Sequence, residues 1–318
     1  MFRRLCVLVY VLSLITAVAL AQSAPTQSTP STGSGPYTAI IEGDPGVPGH
    51  TIYRPGDLSP FSKKNPMPVM AWGNGGCSNS SRMHANFLAE VASHGYLVVA
   101  IGPYTPEPKP KSGSMMGDQT KSAQLLEALD WATAENNRSG SKYYGKVDPS
   151  EFAVAGMSCG GMQALEVSPD PRVATSLIMN SGLFAGGLPK MGAPKTGAPK
   201  EGAQAKMRMA LPTIGKEHLQ KLHAPVVYID GGKSDMAYAN GEDDFARIDH
   251  VPIAIAHFDD VGHGGTYSQP NGGEFGKVAV AWLKWQLQGD ETAKKMFAGS
   301  DCGLCKNAEW EYKKKKLQ

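Results

Sequence analysis

In Gly156-Met157-Ser158-Cys159-Gly160-Gly161, glycines stand two residues before and two after a serine. That spacing suits a serine held on a sharp strand-to-helix turn with its hydroxyl presented to solvent. Such a hydroxyl is a weak nucleophile near neutral pH, so it needs a base to take its proton and a carboxylate to fix the base's tautomer. His263 and Asp235 are the candidates for those parts, giving the chain order Ser158, Asp235, His263. Attack on a carbonyl also builds charge on oxygen, which two backbone N–H groups should meet. Cys159, next after the serine, offers one; Trp72-Gly73-Asn74-Gly75-Gly76-Cys77 offers the other, from Asn74 first and Gly75 second. With 37 glycines in 318 residues, the motif alone is weak, and the elements around it must decide.

Those elements alternate. Residues 37–42 and 50–54 read as an antiparallel pair of strands, and residues 68–72 as a buried strand ending in the glycine-rich loop. Apolar residues at helical spacing mark helices over 82–92, 119–134, 160–167 and 276–288. Between them lie continuous apolar runs at 96–101, 152–156, 174–179, 225–230 and 253–258, as expected of strands covered on both faces. The fold class is α/β, a doubly wound and mainly parallel sheet with a long insertion after the sixth strand. In such a sheet chemistry gathers beyond the C-terminal ends of strands. The runs ending at 156, 230 and 258 lead directly into Ser158, Asp235 and His263.

Rival residues fit less well. His257 lies inside a strand and reads as packed, His250 falls between helix and strand, and His94 ends a helix on the wrong side of the sheet. Asp230 closes its strand and is the main substitute for Asp235; Asp244 and Asp259 read as surface or capping residues. Met157, Trp72, Tyr104 and Tyr267 are candidate lining residues for a substrate.

Composition bounds the partners. The opening MFRRLCVLVYVLSLITAVALA has the charged start, apolar run and small-residue box of a signal peptide over 1–21, implying a secreted or periplasmic product with no membrane anchor after cleavage. Removing it takes Arg3 and Arg4 from the 31 basic residues and leaves 29 against 29 acidic ones. A net charge near zero gives no field to attract nucleic acid. Residues 22–36 read as a disordered Ser/Thr/Pro/Gly linker and 37–318 as a single domain. Within it, 181–224, where Gly-Ala-Pro-Lys occurs twice, reads as an insertion or lid. The run Lys313 to Lys316 reads as a solvated tail. Four cysteines remain after cleavage, an even number that favours disulfides in an exported chain. Cys302 and Cys305 suit a local bridge, since no second pair completes a zinc site. Cys77 ends the oxyanion loop and Cys159 follows the serine, so a bridge between them is expected to stiffen that loop.

The segment Leu-Ala-Glu-Val-Ala-Ser-His-Gly-Tyr-Leu-Val-Val-Ala-Ile-Gly-Pro-Tyr over 88–104, followed by Gly-Met-Ser-Cys-Gly-Gly, is similar to secreted dienelactone-hydrolase-like and cutinase-like polyester hydrolases of the α/β-hydrolase superfamily. The chain departs from them in Met157 and Cys159, where they carry an aromatic residue or histidine and then methionine, and in Trp72-Gly73-Asn74, where they often carry Pro-Gly-aromatic. True dienelactone hydrolases use cysteine at the position of Ser158. The resemblance implies an α/β-hydrolase fold and serine-dependent cleavage of carboxylic esters, small or polymeric, with no metal or organic cofactor. A peptidase on the same fold and a non-catalytic binding protein on a hydrolase scaffold are the alternatives; oligomeric state is left open.

Overall fold

Each central strand is short, apolar and flanked by a helix, and the chain has only one economical way to bury such strands, side by side with helices on both faces. The computed structural model describes residues 32–104, 119–185 and 211–318. Nine strands form one sheet: β1 (Ala39–Glu42), β2 (His50–Pro55), β3 (Met67–Gly73), β4 (Leu97–Ile101), β5 (Val147–Met157), β6 (Val173–Met179), β7 (Val226–Asp230), β8 (Ile253–Phe258) and β9 (Trp310–Lys315). Their order is β1-β2-β4-β3-β5-β6-β7-β8-β9. The pairs from β4 through β8 are parallel, and β1/β2, β2/β4 and β8/β9 are antiparallel. This is the doubly wound, mainly parallel sheet that the alternation predicts.

The period of two along each strand divides the core. Met70 and Trp72 of β3, Ala153 and Ala155 of β5, and Val227 and Ile229 of β7 face α1 (Ala85–Ser93) and α5 (Gly273–Gln288). Val69, Ala71, Val154 and Tyr228 face the opposite layer, made by α2 (Ala123–Asn137), α3 (Cys159–Val167) and α4 (Tyr238–Arg247). Short helices α6 (Glu291–Lys294) and α7 (Gly303–Lys306) complete the chain before β9.

Three sequence expectations are corrected. Lys313 to Lys316 are not a solvated tail: β9 pairs along the whole of β8, from Ile253 opposite Lys315 to Phe258 opposite Trp310. Lys313 Nζ reaches Glu242 at 2.8 Å, and Lys315 Nζ donates to the carbonyls of Phe245, Ala246 and Ile248 at the C-terminus of α4, where a cation is favoured. Asp244 is wholly buried, taking Lys216 Nζ at 2.6 Å, the Leu183 N–H at 2.8 Å and the Tyr228 hydroxyl at 3.1 Å. The linker expected over 22–36 lies outside the described residues up to 31, and its last part is packed. Ser34 donates from its N–H and Oγ to the Glu90 carboxylate at 2.6 Å, and the Gly35 N–H donates to Ser93 Oγ at 2.9 Å.

The signal peptide expected over 1–21 and residues 186–210 of the expected insertion also lie outside the described residues. The flanks of the insertion are anchored. Leu183 is buried, and a 3-10 turn at Lys216–Lys221 leans on α3 through His218 Nε2, which is 3.1 Å from the carbonyls of Leu165 and Glu166.

Candidate active site

Parallel strands end together, so the loops after β3, β5, β6, β7 and β8 converge at one edge of the sheet. Ser158 stands between β5 and α3 with φ 55° and ψ −118°, a conformation that costs on the order of 1–3 kcal/mol and persists only where its surroundings enforce it. They do so through both backbone groups. The Ser158 N–H donates to Met179 O at 2.9 Å, and its carbonyl accepts from Ser181 Oγ at 2.6 Å. The flanking glycines answer to close backbone approach: a Cβ on Gly156 would lie 2.2 Å from Gly160 O, and one on Gly160 would lie 2.1 Å from the Gly73 carbonyl.

His263, in the loop after β8, places Nε2 2.9 Å from Ser158 Oγ. Its Nδ1 lies 2.6 Å from Asp235 Oδ1, in the loop after β7. An ionised carboxylate can only accept, so Nδ1 carries the proton and Nε2 is left free to accept the serine's. The Asp235 side chain is wholly buried while that of His263 is 27% exposed, which leaves the imidazole open to solvent on one side only. Burial pushes the Asp235 carboxyl up, but bonds from His263, the Ala237 N–H and Asn180 outweigh it and hold the group below the usual carboxylate range. Its Oδ1 also takes the Ala237 N–H at 2.9 Å; its Oδ2 takes Asn180 Nδ2 at 2.6 Å and the Gly231 N–H at 3.3 Å.

Asp230, the substitute, is committed elsewhere. Its Oδ1 lies 2.5 Å from Nδ1 of wholly buried His257, whose Nε2 lies 2.6 Å from Glu242. Burial disfavours charge on His257, yet its two carboxylate partners raise its affinity for a proton above the ordinary value. Through Glu242 the network runs on to Lys313, and among the described residues no serine, threonine or cysteine side chain is hydrogen-bonded to it. His94 is bonded to Glu90 at 3.0 Å, and His250 to Leu222 O at 2.9 Å.

The candidate oxyanion donors lie on loops in direct contact. A Cβ on Gly160 would come within 2.6 Å of the Asn74 backbone nitrogen, and one on Gly75 within 2.5 Å of Met157 Sδ. Cys159 opens α3, whose first intrahelical bond is Met162 N–H to Ser158 O, so the Cys159 N–H has no acceptor within the helix. The buried Asn74 side chain pins its own loop: Nδ2 donates to Ser78 O at 2.9 Å and Ile101 O at 2.7 Å, and Oδ1 accepts from Trp72 Nε1 at 3.1 Å. Disulfides join Cys77 to Cys159, with Cα atoms 5.2 Å apart, and Cys302 to Cys305.

Of the expected lining residues, half-buried Met157 sits beside Gly75, and Tyr104 is exposed above Gly43. Trp72 and Tyr267 do not line a substrate surface; both are buried in a cluster with His84 and Phe87, beneath the loops they were expected to present. Burial alone brings His84 down to about 4, so it is neutral there.

Sequence reasoning did not find Asn180 and Ser181, which hold Asp235 and the serine turn. A signal was present: Asn180-Ser181-Gly182 breaks the apolar run of β6 at the register where Met179 pairs with Met157, one residue before the serine. Among the described residues, no group of three or more His, Cys, Asp or Glu side chains is placed to hold a metal ion. No helix among them is long and apolar enough to cross a membrane.

A family model described as PETase, PET hydrolase-like, matches residues 18–179, just over half of the chain. The matched region holds the candidate oxyanion loop and Ser158; Asp235 and His263 lie beyond it. No curated protein matches the chain.

Proposed function

Since the chain belongs to the PET hydrolase-like family, α/β hydrolases that act on polyesters, we propose that it is an exported serine hydrolase cleaving carboxylic esters through an acyl-enzyme. The observation that carries this reading is the unbroken hydrogen-bonded chain from Asp235 through His263 to Ser158 Oγ, with bonds of 2.6 and 2.9 Å.

His263 Nε2 takes the proton as Ser158 Oγ attacks the ester carbonyl, and Asp235, ionised and buried, stabilises the imidazolium that results. The oxyanion is met by the N–H groups of Cys159 and Asn74, with Gly75 next in reach. Collapse of the tetrahedral species returns the proton to the leaving alcohol. Water, deprotonated by the same His263, then releases the acid and restores the serine. The partly exposed face of His263 gives that water access. Export is supported by the leader-like first 21 residues and by two disulfides.

The test is intact-mass analysis after reaction with a fluorophosphonate, with peptide mapping of the adduct. One adduct per chain on Ser158, absent from Ser158→Ala, together with loss of ester turnover by roughly 10⁶-fold in that variant, is the expected result. A folded, oxidised protein whose serine ignores the probe sinks the reading.

A further inference from the structure

Asn180 is bonded to the loops of two members of this site and adjoins the partner of the third. It follows β6, is wholly buried, and has φ 43°, a left-handed conformation that asparagine tolerates far better than most residues. Its N–H donates to Ile229 O at 2.8 Å, which ties it to the strand leading to Asp235. Its Nδ2 donates to Asp235 Oδ2 at 2.6 Å and to Gly262 O, one residue before His263, at 3.2 Å. Its Oδ1 accepts from the Tyr267 hydroxyl at 2.5 Å. The next residue, Ser181, holds the carbonyl of Ser158 at 2.6 Å. The amide's orientation follows from its partners: a carboxylate and a carbonyl can only accept, so Nδ2 faces them and Oδ1 faces the phenol.

The geometry points to Asn180 as a positioning residue of the site, one that locks the plane of the Asp235 carboxylate so that Oδ1 faces His263 Nδ1, with Tyr267 locking Asn180 in turn. This rests on the Ser158, His263 and Asp235 reading above. The terminal torsion of an aspartate is broad and roughly two-fold, and His263 and the Ala237 N–H both bond Oδ1, so the second oxygen needs partners of its own to complete the orientation. Asn180 and the Gly231 N–H grip the other oxygen. The neutrality of Asn180 matters as much as its reach. A lysine or arginine there would neutralise the charge that must stabilise the imidazolium, whereas an amide satisfies Oδ2 and leaves the charge in place. The titratable groups facing Asp235 are His263 from the last loop, Asp230 from β7 and the phenol of Tyr267. Asn180 is therefore the donor on the β6 side that balances the bond to His263.

The experiment compares the wild-type chain with Asn180→Asp, Asn180→Gly and Tyr267→Phe, using p-nitrophenyl butyrate. It measures kcat, KM and the pH profile of kcat/KM, and follows the low-field proton resonance of the His263 Nδ1–H bond. Glycine keeps the left-handed backbone while deleting the amide; aspartate keeps the shape but turns a donor into a second carboxylate. For Asn180→Asp we expect kcat to fall roughly 10–100-fold with KM within about threefold. The acid limb of kcat/KM should move up by about one pH unit, because added negative charge favours the protonated imidazole. In Asn180→Gly the resonance broadens or disappears and kcat falls; Tyr267→Phe moves both in the same direction by less. Folded variants with the wild-type acid limb, kcat within about threefold and an unmoved resonance overturn the proposal. A wild-type chain without Ser158-dependent turnover overturns the esterase reading instead, and the resonance still tells whether Asn180 sets the Asp235 to His263 bond.

Discussion

Two aspartate–histidine pairs lie side by side at the ends of β7 and β8, and their different surroundings assign them different work. Asp235 reaches a histidine that is part-exposed and bonded to a serine hydroxyl; Asp230 reaches one that is wholly buried and closed off by Glu242. Asp235→Asn should therefore keep the fold yet lower kcat by roughly 10⁴-fold, because an amide can hold the wrong tautomer of His263. Asp230→Asn should leave kcat within a few-fold and cost about 3–5 kcal/mol in urea unfolding, the expected effect of stripping one partner from a buried pair. Parallel kcat and urea measurements on both variants separate the two; equal loss of kcat would contradict the division. The meeting of Ser158, Asp235 and His263 was legible because each stands a few residues past a recognisable strand. Asn180 was not, since its importance lies in contacts made across three loops. Trp72 and Tyr267 were misplaced because apolar spacing tells that a residue is near a strand end but not which loops will fold over it.

Among the elements, the first hairpin carries a pH-dependent clasp. Glu42 of β1 receives Arg54 of β2 at 2.8 Å as well as Lys142 and the Tyr143 hydroxyl. Burial pushes its carboxyl up, but Arg54 and Lys142 more than reverse this and bring it to about 2. Because that lies below the unfolded value near 4.3, the stabilisation is complete above about pH 4.5 and is lost as pH falls toward 2. Allowing for solvent screening at a part-exposed site, Glu42→Gln should cost about 1–2 kcal/mol at pH 7 and almost nothing at pH 2; urea midpoints across that range check the sign. The Cys77 to Cys159 bridge closes a span of 82 residues between the loop after β3 and α3. A double change of Cys77 and Cys159 to serine should cost about 2–5 kcal/mol of stability and reduce kcat more than it raises KM, which urea titration and steady-state kinetics would reveal. Four elements escaped the sequence. Tyr238–Arg247 buries only Gly241, Asp244 and Phe245, too few apolar residues to mark a helix; Glu291–Lys294 and Gly303–Lys306 are single turns; and Trp310–Lys315 is too rich in lysine to suggest a strand.

At the scale of the molecule, the sheet is parallel within and bounded by antiparallel strands. β9 covers the edge of β8, whose following loop carries His263. Truncation after residue 308 should bare that edge and remove buried Trp310, lowering Tm by on the order of 10 °C and promoting association visible by size-exclusion chromatography. A monomer with wild-type Tm would refute that role. Parallel topology and eight of the nine strands were legible because apolar runs alternate with helical segments; the crossover helix α4 and the closing strand were not, the first because it buries few apolar residues and the second because its pairing satisfies backbone groups and its lysines find partners elsewhere on the surface. The strand order also imposes a chronology. β4 lies on one side of β3, and β5, β6, β7, β8 and β9 follow on the other, each beside the one before, so beyond β4 chain order and sheet order run together. The serine turn arrives with β5, Asn180 with β6, Asp235 with β7 and His263 only after β8. On the proposed reading, a nascent chain carries its serine well before its base, so a chain that stops short of His263 is expected to show no ester turnover.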